Sequence, residues 1–147
     1  MKLKNVMKPA IGLALFLFLF TSTVYAIDIA VIVNASGPLV NAAKSDIKEI
    51  YLGEKRFEGG VKIIPLLFPE GGIKEAFLKE ALRMTPKEYK IYWTRRIFQD
   101  GIPVPKTLAR TDDIINTVRN DKGGIGFLPR EILSNFTGVK VIMVIKH

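Results

Sequence analysis

The residues best placed to do chemistry stand at one turn. Pro69, Glu70, Gly71, Gly72 and Ile73 lie between an apolar run at 61–68 and a helical pattern. A glycine pair at the mouth of a helix leaves backbone N–H groups free, and α/β proteins hold anions this way. The purely conformational alternative for Gly71-Gly72 is a tight strand-to-helix connection that needs φ > 0 or close packing. Catalysis has less to stand on. The chain has no cysteine and one histidine, His147, its last residue. Thiol chemistry, thiolate metal sites and an internal Ser/His/Asp set are therefore excluded. Asp112 and Asp113 read as first-turn charges favoured by a helix dipole. Gly123-Gly124-Ile125-Gly126 precedes a strand rather than a helix, so its expected role is to end one helix and let a strand pass close by. Arg95 and Arg96, beside Tyr92 and Trp93, read as solvated or paired with Glu88 or Asp100. No enzyme, metal or cofactor is expected.

The elements that position this turn are legible from periodicity. The β-branched run 27–33 reads as a strand buried on both faces of a parallel sheet. Ser45 is expected to cap a helix over 46–52, with Ile47, Ile50 and Tyr51 inward and Gly53 as its stop. Residues 54–60 form a charged turn anchored by Phe57. Phe57, Phe68 and Phe77 are assigned to the core. Pro65 places the strand at 61–68 on a sheet edge or ends it there. After Gly72, a helix is expected to bury Ile73, Phe77, Ala81 and Met84, and to leave Lys74, Glu75 and Lys79 in water. Thr85-Pro86-Lys87-Glu88 is a capping box with proline at the first helical position. Its helix runs to about Gln99, with Tyr89, Tyr92, Trp93 and Ile97 inward. Thr111 caps a further helix that buries Ile114, Ile115 and Val118. Strands are expected at 125–128 and 139–145, with a single helical turn at 129–133. Alternating strands and helices argue for one small three-layer α/β domain with a mainly parallel sheet.

Residues 1–26 read differently. Lys2, Lys4 and Lys8 precede an apolar run of 11 residues from Ala10 to Phe20, and Val24 and Ala26 are small residues at cleavage positions. This is the order of a secretory signal peptide. The run is short of the about 20 residues that a membrane span needs. Cleavage near Ala26 would leave a domain over 27–147, periplasmic or secreted. Removing three lysines lowers the net charge from +8 to +5. An exported basic chain suits an anionic ligand or surface better than nucleic acid, which is not expected as a partner.

Four segments in order carry a resemblance: VNASGPLV at 33–40, SDIKEIYLGE at 45–54, PEGGIKEAF at 69–77 and GGIGFLP at 123–129. Together they resemble the phosphate-type periplasmic solute-binding proteins. YWTRRIFQDG at 92–101 is similar to a segment of a short, one-lobe branch of that superfamily. The resemblance implies one lobe of a class II periplasmic binding protein, without cofactor, that serves an ABC-type transport or sensing system. It implies Ser36, Gly71, Gly72 and Ile73 as ligand-binding positions, with phosphate or another small anion as ligand. The turn departs from the family's Arg-x-x-Gly-Ser-Gly-Thr: Phe68 stands for the arginine, the serine is missing and Ile73 stands for the threonine. That forfeits roughly 1.5–3 kcal/mol for the charged hydrogen bond and about 1 kcal/mol for each neutral one. Glu70 adds repulsion. The alternative is therefore an envelope interaction protein with a degenerate pocket, which binds a protein partner or a second copy of itself.

Overall fold

A computed structural model describes residues 26–134 and 136–147. The expected signal peptide lies almost wholly outside the described residues. No described helix is long and apolar enough to cross a membrane.

Among the described residues the first element is β1 (Ile29–Asn34), every residue of which is buried. A short 3-10 turn (Pro38–Asn41) leads to α1 (Lys44–Tyr51). A two-stranded hairpin follows, β2 (Phe57–Glu58) and β3 (Val61–Lys62), and then β4 (Ile64–Leu67). Next come α2 (Gly72–Phe77), which continues as a π-helical turn (Leu78–Leu82), and α3 (Pro86–Asp100). The chain ends with β5 (Lys106–Thr107), α4 (Thr111–Asn120), β6 (Gly124–Pro129), a 3-10 turn (Arg130–Ile132) and β7 (Val139–Ile145).

Five strands form the central sheet in the order β5-β4-β6-β1-β7. β4 is parallel to both β5 and β6, whereas β1 is antiparallel to both β6 and β7. Four strands thus share a direction, so the sheet is mainly parallel. The exception is β1, which was expected to run parallel. A continuous apolar run records burial on two faces and says nothing about strand direction.

The sheet is covered on both sides, which gives three layers. Ile29, Val31 and Val33 face a large core shared with α1, α2, the π turn and α3. Ile32 faces a smaller core built on Ile114, Ile115 and Val118 of α4. In the large core Phe77 stacks on Phe127 with centroids 3.8 Å apart, and Tyr51 meets Phe77 edge-on at 4.8 Å.

Several local expectations need correction. α1 starts at Lys44, so Ser45 lies inside it and Ala43 is the cap residue. Asp46 determines this start, because its carboxylate accepts the Ala43 N–H at 2.8 Å. Thr111 is likewise the first helical residue of α4 rather than its cap, which is Arg110. The strand expected over 61–68 breaks at Ile63. β4 is interior in the sheet order, but Pro65 is locally on an edge. Ile64 N–H donates toward β6, to the Gly123 carbonyl at 2.8 Å, so the pleat turns Pro65 toward β5. There β5 pairs only with Leu66 and Leu67, beyond the proline. Phe57 is 58% exposed and anchors no core, and Ile97 also faces out. The capping box of α3 is present as expected: Glu88 N–H donates to Thr85 Oγ1 at 3.2 Å, and Thr85 N–H donates to Glu88 Oε2 at 2.8 Å.

Candidate functional site

Leu67 ends β4, and five residues later α2 begins. Gly71 is the N-cap, with φ 148° and ψ −177°. This backbone conformation belongs essentially to glycine. Gly72 needs no special dihedral, and nothing lies within 4 Å of a Cβ added to either glycine. The turn is therefore open to solvent, and the need for glycine is conformational at Gly71 alone. The first backbone bond of the helix runs from Glu75 N–H to the Gly71 carbonyl at 3.0 Å. The N–H groups of Gly72, Ile73 and Lys74 precede it and have no intrahelical acceptor.

Among the side chains around the turn, Lys74 differs from the expectation and Phe68 packs as expected. Lys74, expected in water, keeps only 11% of its side chain exposed, and its Nζ lies 2.6 Å from Glu70 Oε1. The pair stands beside the open turn, so Glu70 is neutralised by its own neighbour. Phe68 is half-buried and touches both cores, with its ring 6.1 Å from that of Phe127. At this position, where the resemblance implied an arginine, the side chain packs on the core.

Ser36 does not join the turn. It follows β1, and β1 runs against β4. The end of β1 lies beside the start of β6, where Val33 pairs with Ile125. The start of β4 is there too, where Ile64 pairs with Gly124. Gly71, Gly72 and Ile73 follow the other end of β4. Ser36 is exposed, and its N–H donates to Asn34 Oδ1 at 2.9 Å in a local turn. The buried group there is Asn34, whose Nδ2 donates to the Val118 and Arg119 carbonyls at 3.0 and 2.8 Å. It satisfies last-turn carbonyls of α4, a structural role for the asparagine of that motif.

A cleft of about 590 Å³ opens beside the glycine turn, between α2, α3 and β5. Lys74, Lys87 and Lys90 line it above Tyr89 and Trp93. Among the described residues neither Lys87 nor Lys90 makes an ion pair, so this wall is positively charged. Sequence reading missed these lysines because each looks like an ordinary solvated residue of an amphipathic helix. Their convergence depends on how α3 docks on α1. Tyr89 and Tyr92 hydroxyls donate to the Tyr51 and Leu52 carbonyls at 2.9 and 2.6 Å. Arg96 pairs with Asp100 at 2.6 Å. The aromatic and basic segment of α3 thus ties up the orphan carbonyls at the end of α1.

Gly123 and Gly124 have the close-approach role expected of them. A Cβ on Gly123 would lie 1.8 Å from the Lys62 carbonyl oxygen, where the β3–β4 segment crosses.

No protein-family model matches the chain, and no curated protein sequence matches it. Several solved structures are similar in fold, including two with a TM-score of 0.60. One is an ABC-type phosphate transport receptor from Vibrio cholerae, with a TM-score of 0.60 and 18% identity over 80% of this chain. The other is a putative phosphate ABC transporter substrate-binding protein from Clostridium perfringens with bound phosphate, with a TM-score of 0.60 and 17% identity over 80% of this chain. The match covers 46% and 45% of those chains, so this chain spans about half of either. The fold is that of roughly one half of a phosphate transport receptor, the architecture that the four sequence segments implied.

Proposed function

We propose that the protein is an exported solute-binding-like unit that holds a small oxyanion, phosphate included, at the Gly71-Gly72 turn for a membrane transport or sensing partner. The observation that carries this reading is the set of N–H groups on Gly72, Ile73 and Lys74, unpaired within the helix, beyond the carboxyl end of β4. In open α/β sheets ligands bind outside the carboxyl ends of the strands. The likeness to phosphate receptors supports the choice of ligand class. With Phe68 and Ile73 in place of an arginine and a threonine, the expected affinity is weak. Calorimetry with phosphate, sulfate and nitrate tests the reading. Millimolar binding that weakens in Gly71→Ala supports it. No heat and no thermal shift at millimolar ligand would end it.

A second reading is an interaction module that binds an envelope protein or a second copy of the chain. One observation favours it: α3 presents Ile91 and Phe98, one heptad apart, to solvent, with Phe98 86% exposed. Sedimentation and pull-down with Phe98→Ser as the control would separate the two. Loss of association with oxyanion binding unchanged favours the module.

A further inference from the structure

A second cavity, of about 400 Å³, opens beside the amino ends of β4 and β5. That end of the two strands is opposite the one followed by the glycine turn. The volume lies within the range of small-molecule sites. The interior is apolar: Ile63, Trp93 and Pro105 are buried and line it, with Ile102 and Pro103 beside them. The charged residues lining it are Lys55, Arg56, Lys62 and Lys106, and no acidic residue lines it. Lys55 is already engaged, 3.0 Å from Asp46 and 2.7 Å from Glu58. Among the described residues Arg56, Lys62 and Lys106 make no ion pair, and all three are exposed. Three prolines in the wall, Pro65, Pro103 and Pro105, bring no backbone N–H. The N–H groups of Ile63 and Ile64 are already donated to the Arg56 and Gly123 carbonyls, so the side-chain cations at the rim are the groups left to meet an anionic head.

From this arrangement we infer that the cavity binds an amphipathic carboxylate, with an apolar body against Ile63, Trp93 and Pro105 and the charged head among Arg56, Lys62 and Lys106. A bare oxyanion has no apolar part to bury, so this ligand class differs from that proposed for the glycine turn. The inference does not rest on that proposal.

Trp93 is the only tryptophan, so its emission reports on the cavity directly. It also lines the cleft beside α2, and variants must localise the signal. The experiment titrates the full protein with octanoate, 1-octanol and octylamine. Octanoate is expected to change Trp93 emission saturably. 1-Octanol should bind at least tenfold more weakly, and octylamine should give no saturable change. In Arg56→Ala/Lys62→Ala, octanoate affinity should fall at least tenfold. In Lys87→Ala/Lys90→Ala, which alters the other cleft, it should be unchanged. All four side chains are exposed, and circular dichroism verifies that each variant folds. Four results would each overturn the inference: no saturable octanoate signal, 1-octanol binding as tightly as octanoate, loss of octanoate binding only in the Lys87/Lys90 variant, or the same emission change on concentrating the protein alone, which would put a second copy in the cavity.

Discussion

The Tyr51 hydroxyl donates to the Leu66 carbonyl of β4 at 3.0 Å and lies 3.4 Å from the Ile125 carbonyl of β6. One side chain of α1 thus ties two neighbouring strands from inside the core. Tyr51→Phe keeps the ring packing and removes the hydrogen bonds, so urea unfolding should show a loss of about 1 kcal/mol. The same hydroxyl gives a pH dependence. Burial pushes the phenols of Tyr51 and Tyr89 up from their ordinary value of 10.0. Their folded pKa values are raised, so above pH 10 the unfolded chain loses these protons first. Stability is complete below that pH and falls as pH rises, by up to about 1.4 kcal/mol per pH unit for each tyrosine. Burial raises Tyr92 as well, and hydrogen bonds to Glu58 and Asp46 raise Lys55. In urea titrations at stepped pH, Tyr51→Phe should therefore remove up to about 1.4 kcal/mol per pH unit of the alkaline slope and leave the remainder. Tyr51 was readable as inward from helical periodicity. Its tie to two strands was not, because sequence spacing does not say which carbonyls lie beneath a helix. The burial of Lys74 was not readable either, although its i,i+4 spacing from Glu70, the partner it pairs with, was.

At the scale of elements, glycines separate conformation from contact. Gly71 holds a dihedral that alanine resists, so Gly71→Ala should cost on the order of 1–3 kcal/mol in thermal or urea unfolding. Gly72→Ala meets open space at a helical position, and should be neutral or stabilising by about 0.4–1 kcal/mol. Equal losses in both would show that the turn is held by something other than the Gly71 backbone. Gly123→Ala must displace the Lys62 carbonyl, a backbone atom, and is expected to cost about 3 kcal/mol or more. Elements with their own local chemistry were the most legible. The Thr85 box, the Gly53 stop and the strand at 139–145 stand where the sequence placed them. Elements decided by distant partners were less so. α1 starts where Asp46 finds a backbone N–H rather than at the better intrinsic cap, Ser45. The long apolar run at 61–68 divides at Ile63, whose N–H donates to the Arg56 carbonyl of the hairpin, while the next N–H, that of Ile64, donates to the Gly123 carbonyl beside β6.

For the whole molecule, strand direction decides which motifs can share a site. The reversed β1 sends Ser36 to the amino end of β4 and leaves Gly71, Gly72 and Ile73 at the other, so only three of the four expected positions come together. A linear sequence cannot reveal this, since a parallel and an antiparallel β1 would carry the same residues. The topology also leaves β7, with the sequence VKVIMVI, on the sheet edge. A long apolar edge invites pairing with another chain. Two features oppose it. Lys140 lies exposed near the start of β7 and Lys146 just beyond its end, and the ladder with β1 is irregular between Val31 and Ile32. An antiparallel pair of β7 strands centred on Met143 would set Lys140 against Lys146, and like charges directly opposite are destabilising. Lys140→Val removes the guard without touching either core. Sedimentation should then show stronger concentration-dependent association than in the parent chain, and Lys140→Glu should pair more readily than the parent because it would face Lys146. If Lys140→Val stays as dispersed as the parent, the irregular ladder rather than charge protects the edge.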